Sequence, residues 1–587
     1  MTPPDTTAVP ASYRLRLRDN QLFLALSILV GVLAGLSAVL FALSIDRVTR
    51  ILFGFEPSAA RLFAVPAAVS VITGVLLSYF FPDVRGSGVP QTEAAYHLND
   101  GIIPGRVAFG KFLTGVLCVG SGHSMGREGP SVQIGAALAS TIGRWVGVSP
   151  ERVRALVPVG AAGALAAAFN TPVAAVLFSL EEIIGNMNAS LIGSAVVASV
   201  ASVVVERSIL GNEPLFHVPA YQLVHPAELL IYALLGVIGG ALSLLFCKVL
   251  LASRAAFRRM PQRTLVIQPA IGGVLLGLLL LVRPEVMGVG YDYVDQALNG
   301  TILVRTLVLL CVLKLVATIV SYASGNAGGI FAPTLFIGAM AGGAIGSIAH
   351  RVVPFPTAGP GAYALVGMGT LFAGIIRAPM TSVFMVFEIT QDYQILVPLM
   401  VANLLSFVIS RRFQPVPVYH ALLRQDGIHL PSSDAPRDEG WTVRNVMRPH
   451  PTLFAPTMAI TEVLAALDAA GAERALVGRD GRLSGVVTRP AALLAVQAGR
   501  DAAPVDTIVE PAATHVHPDH RMDVLFERWK HAEGVLPVVR RDDDERIVGV
   551  VTLDEIASFL SSPDLGEFEP MERRGTGGSS AAPTAQS

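Results

Sequence analysis

At 587 residues and a net charge of −1, the chain offers no bulk electrostatic attraction to nucleic acid. With 52% hydrophobic and only 15% charged residues, and a mean hydropathy of +0.57, it is too apolar for a water-soluble protein of this size and reads as an integral membrane protein. In chain order, the apolar segments 21–44, 63–81, 105–120, 151–169, 189–205, 227–252, 264–282, 302–321, 360–376 and 394–410 approach the roughly 20 residues a helix needs to cross hydrocarbon. Between them, 86–98, 129–144, 170–184, 334–348 and 379–390 are shorter or broken by Gly and Pro, and are expected to be partial helices enclosed by protein. That mixture points to a transporter or channel rather than an anchor. Arg14, Arg16 and Arg18 precede the first span, Arg254, Arg258, Arg259 and Arg263 form a basic loop, and Arg411 and Arg412 end the last span. The positive-inside bias therefore places the N-terminal segment 1–20 and everything beyond residue 425 in the cytoplasm. Cys118, Cys247 and Cys311 lie in apolar segments and read as small buried hydrophobes rather than disulfides or metal ligands.

After about residue 425 the long apolar runs stop, and 426–442 reads as a linker to a water-soluble region. There, "LSGVVTRPAALLAV" (483–496) and "IVGVVTLDEIASFL" (547–560) repeat one unit, a strand ending in Gly-Val-Val-Thr followed by a helix. Each is preceded by a further helix and strand, so each half reads strand, helix, strand, strand, helix. The pattern resembles a tandem pair of CBS domains at 443–496 and 507–560. The tail 565–587, rich in Gly, Ser, Ala and Pro, is expected to be disordered.

A second repeat lies inside the membrane half. "GREGPSVQIGA" (126–136) aligns with "GIFAPTLFIGA" (329–339), pairing Gly126 with Gly329 and Pro130 with Pro333. Further on, residues 159–182 align with 366–389, pairing Pro172 with Pro379 and Glu181 with Glu388; the latter match suggests a structural role at equivalent helix ends. Two duplicated segments in one order are the trace of a transporter built from related halves, with its site where the repeats meet.

"GSGVP" (86–90), "GREGP" (126–130) and "GGIFAP" (328–333) combine glycines, which allow close backbone approach, with a proline suited to a first helical turn. Each is expected to open a helix. The first N–H groups of a helix lack partners within it and carry the positive end of its dipole, so several such ends converging make an anion site without buried cationic side chains. Partial charges, helped by a hydroxyl such as that of Ser87, also let a permeating anion leave. Glu128 sits within this chemistry, although an ionised carboxylate at the bilayer centre costs about 2.5–3.5 kcal/mol on insertion scales.

These motifs, in this order, resemble the CLC family of chloride channels and chloride/proton antiporters over about 21–425. The resemblance implies an all-α polytopic membrane domain with two inverted-topology repeats, here followed by the α+β CBS pair, and a homodimer in which each subunit has its own pathway. Val89 replaces the usual isoleucine of the first motif, in which Gly86, Gly88 and Pro90 support Ser87; Gly126, Arg127, Gly129 and Pro130 frame Glu128 in the second, and Gly329 and Pro333 frame the third. The resemblance implies that Ser87, the amides of Ile330 and Phe331, and the hydroxyl of Tyr419 hold chloride. It implies that Glu128 is the external gate, taking the anion's place when ionised and swinging away when protonated. Glu182 falls where the antiporter branch has an internal proton acceptor, which favours chloride/proton antiport; a CBS-regulated passive channel shares every anion contact and stays open as the alternative. The implied partners are chloride, protons and the lipid bilayer of a bacterial inner or plasma membrane, with no nucleic acid. No Ser-His-Asp, HExxH or Walker-type constellation of an enzyme occurs in the apolar half, no cofactor is required and no metal set is evident. An adenine nucleotide at the CBS pair rests on Thr552 and Asp554 alone, because Thr488 in the first half is followed by Arg489, Pro490 and Ala491.

Overall fold

The computed structural model describes residues 11–185, 189–212, 215, 216, 218, 223–428, 430, 441–449, 452–510, 514–520, 522–529, 532, 534–540 and 543–560. The side chains of Arg14, Arg16 and Arg18, most of the linker and the 565–587 tail lie outside them. The chain divides into two compact units, Met1–Ser433 and Asp434–Ser587.

The first unit is helical throughout its described elements. One set of eight comprises α1 (Ala11–Phe53), α2 (Ala59–Val75), α3 (Val89–Leu98), α4 (Gly105–Gly120), α5 (Glu128–Val146), α6 (Pro150–Phe169), α7 (Pro172–Phe178, widening into a π turn over Ser179–Ile184) and α8 (Ala189–Leu210). The second set follows the same order: α9 (Glu228–Arg258), α10 (Gln268–Val282), α11 (Tyr291–Leu298), α12 (Val304–Ala323), α13 (Phe331–Val352), α14 (Pro360–Ile376), α15 (Pro379–Thr390) and α16 (Leu396–Phe413), with α17 (Val418–Gln425) appended. Among the described residues, 8 helices are long and apolar enough to cross a membrane.

The duplication extends to packing. A Cβ on Gly135 of α5 would lie 2.4 Å from the Gly160 carbonyl of α6, and one on Gly338 of α13 would lie 2.3 Å from the Gly367 carbonyl of α14. Each pair of helices is thus in backbone contact through small residues, the usual device where lipid removes any hydrophobic drive between helices.

The segment 334–348, expected to be partial, is instead the interior of a 22-residue helix. Pro333 occupies its first turn, where proline has no hydrogen bond to break, and its glycines admit α14 rather than interrupt the helix. Likewise 129–144 belongs to a 19-residue helix. The short helices α11 and α17 carry too few residues to show a period and were not expected.

The second unit contains α18 (Val443–Val446), β1 (Arg448–Pro449), α19 (Ile460–Ala470), β2 (Arg474–Arg479), β3 (Arg482–Thr488), α20 (Arg489–Gln497), α21 (Met522–Trp529), β4 (Val535–Arg540), β5 (Asp543–Thr552) and α22 (Leu553–Leu560). Antiparallel β2 and β3 serve the first half, and β4 and β5 the second. The strand expected to open each half is reduced to an isolated bridge, Phe454 to Val477 and Val516 to Val538. The halves also exchange segments: β1 pairs with β5, and Val443 and Val446 join the core of Leu525, Leu536 and Val551. In return, Val505 packs with Val463, Val477 and Val487 of the first half.

Candidate functional site

The three Gly-rich loops are tied together by their own backbone. The Gly126 amide donates to the Gly329 carbonyl at 2.7 Å, the Gly329 amide returns the bond to Gly126 at 2.8 Å, and the Gly328 amide donates to Gly86 at 3.1 Å. Helices α3, α5 and α13 start immediately after these residues, with Pro90, Pro130 and Pro333 in their first turns. Their unsatisfied N–H ends are therefore brought into one region. Glycine is demanded at two of the contacts. Gly88 has a φ of +105° and a Cβ there would lie 2.7 Å from the Gly129 carbonyl, while a Cβ on Gly129 would lie 2.6 Å from Ser87 Oγ.

A lysine that sequence reasoning passed over fixes the first loop. Lys111, fully buried on α4, donates from Nζ to the carbonyls of Val84 (2.9 Å) and Gly86 (2.6 Å). Lys314, fully buried on α12, does the same to Val286 (3.1 Å) and Gly288 (2.6 Å). The available signal was a lone lysine in each of two apolar spans, each 17 residues before the aligned pair Glu128 and Phe331.

Around the helix starts, Ser87 Oγ, Tyr419 Oη and Glu128 Oε2 are all buried, and none meets hydrogen-bond geometry with the described residues, although the Ser87 and Tyr419 hydroxyls face each other. Tyr419, from α17, is within electrostatic reach of Ser87, Glu128 and Glu182, so the predicted residues do share one neighbourhood. Three unpartnered polar atoms in one region are a costly arrangement for a merely structural core. Ile330 and Phe331 are buried at the start of α13, the Phe331 ring lying 4.9 Å from that of Phe169, 5.7 Å from Phe178 and 4.4 Å from Phe372.

Glu128 is completely buried as the first residue of α5. Its Oε1 accepts a hydrogen bond from the Tyr291 hydroxyl of α11, a partner the sequence did not reveal. Its Oε2 and the Ala332 amide flank the point where a Cβ on Gly126 would sit, at 2.3 and 3.0 Å. Arg127 forms no ion pair with it; the guanidinium lies 5.7 Å from the centre of the Tyr291 ring.

Glu182, in the π turn, is 7% exposed and is not a solvated helix end. Its charged neighbours are Glu93, Glu181 and Arg377. Glu93, on α3, bonds His420 Nε2 at 2.5 Å through Oε1 and leaves Oε2 unpartnered among the described residues. Neither Glu93 nor His420 was singled out in the sequence.

In the second unit, the Thr552 amide and hydroxyl both donate to the Glu555 carboxylate, at 2.9 Å from the amide. Glu555, at the third position of α22, thus satisfies the Thr552 amide that precedes the helix, one half of a capping box. Asp554 is exposed and lines a cavity of about 440 Å³ with Trp441, Asn445, Ser558 and Phe559. Among the described residues no group of His, Cys, Asp and Glu is arranged to hold a metal ion.

Two sets of helices in the same order, short helices enclosed between long ones and polar loops meeting at the centre define a duplicated, polytopic membrane protein of the transporter and channel class. The model of the voltage gated chloride channel family matches residues 69–411, more than half of the chain, and the chain belongs to that family. The CBS domain model matches 505–562. The H(+)/Cl(−) exchange transporter ClcA of Vibrio campbellii is 33% identical over 417 residues, covering 68% of this chain and 89% of that protein. ClcA of Vibrio cholerae is 35% identical over 420 residues with the same coverage. Among solved structures, a slow cyanobacterial Cl−/H+ antiporter superposes with a TM-score of 0.63 at 27% identity, covering 69% of this chain and 97% of that one. A eukaryotic CLC transporter covers 92% of this chain and 98% of its own with a TM-score of 0.61; at 20% identity it bears on the fold alone.

Proposed function

We propose that this protein exchanges chloride for protons across a membrane, with Glu128 as the external gate and Glu182 as the internal proton acceptor. The observation that carries the reading is the burial of Glu128 at the start of α5, one carboxylate oxygen unpartnered beside the Ala332 amide of α13. A carboxylate there competes with chloride for the same donors: the amides at the starts of α5 and α13, including those of Ile330 and Phe331, and the hydroxyls of Ser87 and Tyr419. Ionised, it fills the anion's place. Protonated, it no longer needs those donors, leaves, and carries a proton as chloride enters. The relatives named as H(+)/Cl(−) exchange transporters support the same activity.

The burial of Glu182 with a second acid, Glu93, among its charged neighbours favours antiport over the passive channel, because neighbouring acids can take up and pass on a proton, which a pore that moves only anions does not require. Vesicles containing the protein and loaded with chloride test the choice. Chloride leaving down its gradient drives protons uphill in an antiporter; chloride efflux with no proton movement establishes the channel.

The pathway is complete within one chain, and the working form is a homodimer with both the N-terminus and the CBS pair in the cytoplasm. An adenine nucleotide at the CBS pair would depend on Asp554, since the Thr552 hydroxyl is engaged by Glu555. A melting temperature of the full chain that ATP does not move would leave the pair a structural role.

A further inference from the structure

We infer that Tyr291 is a latch on the external gate, a positioning residue that holds the Glu128 carboxylate docked and sets how readily it leaves. This rests on the reading of Glu128 as that gate. The loop that presents Tyr291 is the second-repeat copy of the loop that presents Ser87. Val84-Arg85-Gly86-Ser87-Gly88 and Val286-Met287-Gly288-Val289-Gly290 share the spacing of valine and two glycines. Both glycines of each are left-handed, with φ of +85° and +105° in the first loop and +56° and +81° in the second. Each loop is clamped through its valine and first-glycine carbonyls by a buried lysine, Lys111 or Lys314, and each launches a short helix, α3 or α11.

The copies differ in where the hydroxyl stands. The first loop places it at Ser87. In the second, Val289 holds the equivalent position and the hydroxyl arrives two residues later, on Tyr291 at the start of α11. The duplication has thus supplied a second, separately clamped hydroxyl, and this one donates to Glu128 Oε1. The clamp is tight: a Cβ on Gly290 would lie 2.8 Å from the Phe336 ring and 3.3 Å from Lys314 Nζ. The tyrosine ring is held edge-on to Phe216 at 5.3 Å, with the Arg127 guanidinium on its other contact at 5.7 Å.

The titratable and charged groups facing Glu128 are Tyr291 from α11, Arg127 at the start of its own helix and Tyr419 from α17. Of these, only Tyr291 makes a direct hydrogen bond to the carboxylate. A phenol donor favours the ionised form of its acceptor. Hydrogen bonds to charged groups are the strong class, so removing this one changes the docked-to-released ratio by about tenfold, which displaces a titration midpoint by about one pH unit.

The test is chloride efflux as a function of pH from vesicles containing the full chain, comparing wild type, Tyr291→Phe, Glu128→Gln and the double variant. Phenylalanine keeps the ring and its packing and deletes only the hydroxyl. The latch predicts that Tyr291→Phe raises the midpoint of acid activation by about one unit, and that the effect vanishes in the Glu128→Gln background. A lost packing contact alone would leave the midpoint in place. If Glu128→Gln abolishes the pH dependence but Tyr291→Phe does not move the midpoint, the latch is overturned and the gate stands. If Glu128→Gln itself leaves the pH dependence intact, the gate reading falls and takes the latch with it.

Discussion

Glu181 and Glu388 are bound at the starts of each other's helices. The Glu181 carboxylate accepts from the Met380 and Thr381 amides at 3.1 and 2.7 Å and from the Thr381 hydroxyl at 2.7 Å, capping α15. Glu388, at the far end of α15, accepts from the Val173 and Ala174 amides at 2.9 and 2.8 Å, capping α7. An acid at a helix start satisfies orphan amides and meets the positive end of the dipole. The reciprocal pair locks the two repeats together, in agreement with the structural role the sequence alignment suggested for these acids.

Glu181→Gln or Glu388→Gln is therefore expected to destabilise the first unit by about 1.5–3 kcal/mol, the range for a lost hydrogen bond to a charged group. Glu181→Gln should cost more, because the Thr381 hydroxyl is a third donor. Melting of the detergent-solubilised variants checks the order; equal and negligible shifts would refute the reciprocal cap.

Glu182→Gln is expected to keep chloride flux and lose proton coupling, since no anion donor is removed. Glu93→Gln should slow proton movement at least several-fold without touching chloride affinity, because Glu93 is a charged neighbour of Glu182 and is itself bonded to His420. Simultaneous recordings of the two ions in vesicles separate these outcomes. A Glu93→Gln protein with unaltered coupling would remove that residue from the proton route.

Gly129→Ala is expected to weaken chloride binding by tenfold or more. Its Cβ would fall 2.6 Å from Ser87 Oγ and 2.8 Å from the Ser87 carbonyl, so the Ser87 loop must shift and the convergence of helix starts is lost. Overpacking of this kind costs about 1–3 kcal/mol. Calorimetric titration of the purified protein with chloride gives the affinity, and a wild-type value would mean that Ser87 is not at the site.

Much of this was legible in the sequence. Gly88, Gly126, Gly129 and Gly329 are needed where backbone meets backbone, and Gly86 for its left-handed φ of +85°, and such needs leave fixed letters at fixed spacing. A contact made by a single side chain leaves no pattern of its own, whether in the apolar spans that carry Lys111 and Lys314 or on the short, mixed helices that carry Tyr291 and Glu93. Tyr291, Lys111, Lys314 and Glu93 therefore went unmarked, although the two lysines stand at equivalent repeat positions. The full length of α13 was hidden because its glycines look like breaks; a Cβ on Gly342 would lie 2.0 Å from the Tyr363 carbonyl, so they are contact points. Sequence order is equally silent on which half of the CBS pair receives residues 443–449.

That exchange makes its own prediction. Val443 is fully buried in the core of the second half, so Val443→Ala should lower hydrogen-exchange protection in β4 and β5 by about 1–3 kcal/mol and spare β2 and β3. Loss confined to β2 and β3 would contradict the exchanged packing.

The central claim is that Glu128 and chloride compete for one set of backbone and hydroxyl donors. Chloride affinity measured by calorimetry across pH, in wild type and in Glu128→Gln, tests it most directly. Competition predicts that wild-type affinity falls as pH rises and the carboxylate ionises, whereas the glutamine variant binds chloride equally well at every pH. The same pH dependence in both proteins would contradict it.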